Sequence, residues 1–124
     1  MISISEEEFQ ELMESSMETV PENFKSKMEN IVFLVEPYPN ESDLTRVGLT
    51  KGSMLLGLYS GTPYTHRNTW YAGTTPDRII LFQKNIEAVC NNLNELKSKI
   101  REVVIHEIGH YFGMSEEQIR AAGY

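Results

Sequence analysis

Three observations place the chain in the α+β class. Apolar stripes at helical spacing mark both ends, short apolar or β-branched runs lie between them, and turn-forming clusters separate the runs. The expected architecture is a small mixed sheet packed against flanking helices. With 124 residues the chain suits one domain, 1–124, able to bury roughly two-thirds of its unfolded surface around a single core. No repeat, low-complexity tract or shift in composition divides it.

Near the start, Ser5 and Glu8 have the spacing of a capping box. Phe9, Leu12, Met13 and Met17 follow with the period of a helix. Pro21 marks a break or a fresh helix start, because proline fits a first turn, and Phe24 and Met28 carry an apolar stripe to about Asn30. The run 31–35 is apolar and largely β-branched, which reads as a buried strand. Residues 37–43, with two prolines, read as loop. A second strand is expected over 54–59, a turn at Gly61-Thr62-Pro63, and a third strand over 78–82, after which Asn85 caps a short helix through Cys90. One long helix is expected over 94–112 with Asn94 as N-cap. Leu96, Ile100, Val103, Val104, Ile108 and Tyr111 form its buried stripe.

That helix carries the most informative residues, His106-Glu107-Ile108-Gly109-His110. Histidines four apart stand one helical turn from each other, with Cβ atoms about 5–6 Å apart, so both imidazoles can reach one ion at zinc–nitrogen distances of about 2.0–2.1 Å. Glu107 is badly placed to ligate the same ion but well placed to take a proton from a water beside it. Its helical angle puts it near the centre of the apolar stripe, where a carboxylate is costly to bury without a partner. The histidines fall on the border of that stripe.

Catalytic zinc generally has three protein ligands. In the longer pattern H-E-x-x-H-x-x-G-x-x-H, a glycine turns the chain so that a third ligand reaches back. Gly113 fills the glycine place and Glu116 the ligand place. Ser115 and Gln118 also have capping-box spacing, which puts Glu116 and Glu117 in the first turn of a terminal helix. Glu116 is the expected third ligand, with Glu117 and His66 as the alternatives.

The segment from Val104 to Glu117, V-I-H-E-I-G-H-Y-F-G-M-S-E-E, resembles the active-site helix of the small bacterial zincin-like metallopeptidases, with their HEIGHHFG-type motif and following acidic residue. Upstream, L-L-G-L-Y-S-G from Leu55 and P-D-R-I-I-L-F from Pro76 resemble that family's strand motifs. The resemblance implies a minimal zincin-like fold and one Zn2+ per chain. It implies His106, His110 and Glu116 as metal ligands and Glu107 as general base in peptide-bond hydrolysis. A peptide or protein substrate would then lie as an added strand along a sheet edge, and the resemblance selects 79–82 for that edge, with an internal strand as the competing reading of the same residues. The loop 64–71, with His66, Arg67, Trp70 and Tyr71, is a candidate cover for the cleft, His66 or Tyr71 then facing an oxyanion. A solvated loop histidine and a core tryptophan are the competing readings.

A formal charge of −7 disfavours nucleic acid and anionic membranes as partners. No run has the length of a membrane helix. The first residues have neither the basic nor the apolar region of a secretion signal, and one cysteine, Cys90, permits no internal disulfide; both suit a reducing cytoplasm. The rival functional reading is a non-catalytic, zinc-stabilised binding module. Against it stands Glu107, which a structural zinc site does not need.

Overall fold

The computed structural model describes residues 1–46, 48, 54–61 and 76–123. The expected turn residues Thr62 and Pro63, and the loop 64–71 with His66, Arg67, Trp70 and Tyr71, lie outside these. Among the described residues nine elements follow in order: α1 (Glu6–Met17), α2 (Glu22–Lys25), β1 (Ile31–Glu36), α3 (Glu41–Arg46), β2 (Gly57–Ser60), β3 (Asp77–Phe82), α4 (Gln83–Ala88), α5 (Leu93–Tyr111) and α6 (Glu116–Ala121). The fold is α+β. No helix among the described residues is long and apolar enough to cross a membrane.

The sheet has the order β1-β3-β2, with β1 parallel and β2 antiparallel to β3. This corrects the placement of 79–82 at the edge, because β3 is the central strand, with β1 and β2 as the edges among the described residues. The reason is visible in burial. Ile79, Ile80, Leu81 and Phe82 are all buried, and a strand covered on both faces reads as a continuous apolar run. On β1 burial alternates instead, leaving Val32 and Leu34 exposed.

Ile79 and Leu81 join the main core with Phe9 and Met13 of α1 and Leu96, Ile100, Val103, Val104 and Ile108 of α5. Ile80 and Phe82 face the other way and form a smaller cluster with Leu58. Both ends of the chain converge on α5.

Local chemistry explains most element boundaries. Ser5 and Glu8 form the capping box of α1, Glu8 N–H donating to Ser5 Oγ at 3.1 Å. The segment before it is tied to α4: Ile4 N–H donates to the buried Glu87 carboxylate at 2.9 Å, and Gln83 Nε2 donates to Ile4 O at 3.1 Å. Pro21 caps α2. Part of the expected loop 37–43 is helical, because Asn40 and Asp43 exchange hydrogen bonds (Asp43 N–H to Asn40 Oδ1 at 2.7 Å) and start α3. Asn85 is not a cap. Helix α4 follows β3 directly, and the Asn85 amide lies inside it, donating to Leu55 O at 2.8 Å.

The cap of α5 also differs from expectation. Asn92, not Asn94, receives the N–H of Glu95, at 2.9 Å. It alone stands three residues before a glutamate that answers it, since Asn92 Nδ2 donates back to Glu95 Oε2 at 3.1 Å. The far end closes as a Schellman motif. Gly113 N–H donates to His110 O and Met114 N–H to Gly109 O, with Gly113 at φ 81° in the left-handed region that favours glycine. Ser115 and Gln118 then form the capping box of α6, as their spacing indicates.

Helix α6 is pressed against α5 at one point. A Cβ built on Gly109 would lie 2.8 Å from Ile119 Cγ1, so the glycine inside H-E-x-x-H is what lets buried Ile119 seat.

Two measurements check these assignments by urea unfolding. Asn92→Ala is expected to cost about 1 kcal/mol and Asn94→Ala a few tenths at most; the reverse order would disprove the cap. Gly109→Ala, which in an open helix would stabilise by up to about 1 kcal/mol, is expected here to destabilise by about 1–3 kcal/mol through overpacking.

Candidate metal centre

His106 and His110 project from the last two turns of α5, their ring centroids 5.1 Å apart. The Schellman turn at Gly113 sends the chain back along the helix, and α6 begins with Glu116 opposite the pair. Glu116 Oε1 lies 2.8 Å from His106 Nε2 and 2.9 Å from His110 Nε2. An ionised carboxylate only accepts, so both imidazoles present Nε2–H to the same oxygen. The other oxygen, Oε2, is 3.8 Å from the exposed Arg120 Nε. Desolvation pushes the Glu116 carboxyl up, but the hydrogen bonds and positive potential of the two histidines outweigh it and hold the group below the usual carboxylate range.

Glu107 has the opposite environment. It is 7% exposed, and burial pushes its carboxyl above the ordinary value, partly offset by His110, His106 and the Tyr59 backbone. One of its oxygens lies within 4.8 Å of the ligand nitrogens of both histidines. Two carboxylates thus border the pair: Glu116, ionised and touching both Nε2 atoms, and Glu107, desolvated against the sheet. The contact with both nitrogens makes Glu116 the stronger candidate for a ligand.

Glu117 is exposed and makes no hydrogen bond or ion pair among the described residues. His66, the other alternative, lies outside them.

This donor set fits zinc. Two imidazole nitrogens and a carboxylate oxygen are ordinary zinc donors, and tetrahedral bonds of about 2.0–2.1 Å would set ligand atoms roughly 3.3 Å apart. The observed separations of 2.8 and 2.9 Å are shorter by a few tenths. The three side chains retain 22, 29 and 52% exposure, so small rotations suffice to open them.

Two residues of β2 matter here that sequence reasoning did not single out for the site. A Cβ on Gly57 would lie 2.6 Å from Val103 Cγ1 and 3.3 Å from Glu107 Cγ. Only a glycine lets α5 come this close. The Tyr59 main chain offsets part of the upward push on the Glu107 carboxyl. A lone glycine inside a strand run signals close backbone approach, so Gly57 was discoverable; the main-chain influence of Tyr59, across a long sequence gap, left no such mark.

A family model of zincin-like metallopeptidases matches residues 28–124, from just before β1 through α6. The chain matches none of the curated proteins compared with it. With the match spanning most of its length and including the two histidines and both glutamates, the chain belongs to the zincin-like metallopeptidase family.

Proposed function

We propose that the protein is a zinc-dependent peptidase in which His106, His110 and Glu116 hold the metal and Glu107 is the general base. The convergence of two Nε2 atoms on one Glu116 oxygen, with a buried carboxylate beside them, carries this reading. When bound there, zinc supplies a Lewis acid that acidifies water and polarises a carbonyl oxygen. Glu107 accepts the proton of the attacking water and returns it to the departing amide nitrogen as the C–N bond breaks. Desolvation suits it to the first task, since a carboxylate whose proton affinity is raised above the ordinary value is a stronger base.

The substrate fits best as an extended segment along β2. Leu56 O accepts from Phe82 N–H at 2.9 Å, so by antiparallel alternation Leu56 and Leu58 turn their main-chain groups toward β3 and Gly57 turns its own outward. Among the described residues β2 is an edge strand, and at Gly57 it runs beside Glu107. Strand addition of this kind tolerates many sequences, and the net charge of −7 favours neutral or basic peptides. A purely structural zinc site gives no reason to hold a desolvated carboxylate next to its histidines at the cost of burial.

Metal analysis of protein grown with ample zinc is expected to find about one ion per chain. His110→Ala should lose it, and Glu116→Gln should weaken it by more than the roughly 10–100-fold typical of an outer-shell loss, whereas Glu117→Gln should leave it unchanged. A Glu117→Gln defect larger than that of Glu116→Gln would reassign the third ligand. In a peptide-library cleavage assay Glu107→Gln should keep zinc and lose about 10²–10⁴-fold in turnover. Wild-type rates in that variant would refute the base.

A further inference from the structure

Helix α6 has six residues, far fewer than the roughly 12–15 that an isolated helix needs to persist in water. It therefore depends on what it packs against. Ile119 is its one buried residue, at 1% exposure. Among the described residues, the hydrogen bonds that leave α6 are the two between Glu116 and the histidines. One apolar and one polar attachment thus hold the helix, and Glu116 and Ile119, three positions apart, share one of its faces.

The apolar attachment is built into the histidine helix itself. Ile119 packs on Gly109, the residue before His110, where a Cβ would lie 2.8 Å from Ile119 Cγ1. Around it, Ile108 and Phe112 of α5 and Val20, Pro21 and Phe24 line one apolar cavity. Phe24 of α2 also meets Phe112 ring to ring, with centroids 5.3 Å apart. Val20, Pro21 and Phe24 precede the span 28–124 that matches the family model, so the seat of α6 is made partly by residues outside that span. The Schellman turn and the Ser115 capping box set the direction in which α6 leaves. Both act within the chain 109–118, and the distance between α6 and α5 is set where Ile119 meets Gly109.

We propose that Ile119 is the positioning residue for Glu116: seated on Gly109, it holds α6 at the distance that lets one Glu116 oxygen meet both Nε2 atoms. The proposal rests on Glu116 being the third ligand. It places zinc affinity under the control of an apolar contact remote from the ligand atoms, and it links the docking of α6 to metal binding in both directions.

The zinc-free chain tests the positioning before any metal is added. In ¹⁵N spectra of the imidazoles at one pH, Ile119→Ala should shift both Nε2 resonances as Glu116→Ala does, and Ile119→Val should shift them the same way by less. Ile100→Val, the same truncation in the main core of α5, should leave them at their wild-type positions. Wild-type resonances in Glu116→Ala or in Ile119→Ala overturn the proposal, as does an equal shift in Ile100→Val.

Zinc affinity, read by competition with a chromophoric chelator, is the second measurement. Ile119→Ala should weaken zinc about 10-fold and Glu116→Ala by more. The double variant should bind no more weakly than Glu116→Ala alone, because a residue that acts only through Glu116 then has nothing to act on. Additive losses would make Ile119 a structural residue only and overturn the proposal. A wild-type chain that takes no zinc, or a Glu116→Ala chain with wild-type affinity, refutes the ligand reading instead, and the Nε2 resonances then decide the positioning by themselves.

Discussion

The close approach of α5 to β2 is the constraint on which the site depends. Where Gly57 faces Val103 and Glu107, the helix sits so near the strand that no side chain fits between them. That distance packs the Glu107 stem against the sheet, where burial pushes its carboxyl above the ordinary value. The glycine thus sets the environment of Glu107 as well as the packing.

A second close approach does the same for the metal side. Gly109 admits Ile119, Ile119 seats α6, and α6 starts at the residue before which the Schellman turn and the Ser115 capping box have set the backbone direction. Glu116 arrives opposite the histidines because of this sequence of local decisions. Both glycines work by absence of a Cβ, Gly57 on β2 facing Glu107 and Gly109 inside the five-residue motif facing Ile119. One admits the sheet and the other admits the terminal helix.

Legibility in the sequence follows the range of the interaction. The histidine pair, Gly113, the Ser5 and Ser115 boxes and Glu116 were all readable, since each depends on residues within about ten positions of one another. The strand order was not. The pairing of β1 with β3 joins residues more than forty apart, and the assignment of 79–82 to the edge leaned on likeness while the unbroken run Ile79-Ile80-Leu81-Phe82 argued for the centre. Asn92 and Asn94 were indistinguishable by residue type; the glutamate three positions after Asn92 decides between them. The same reciprocal logic, Asn40 with Asp43, lay unread inside a segment that its prolines marked as loop.

These ranges divide the site in two. His106, Glu107, His110 and Glu116 lie within eleven consecutive positions, so one helix and its returning turn can gather a metal-binding set without help from the sheet. The sheet contributes something different: Gly57 on β2 opens the space that the Glu107 stem fills, and burial there pushes the carboxyl above its ordinary value. The local motif brings the candidate ligands together, whereas the environment that suits Glu107 to the proposed role of base comes from tertiary packing.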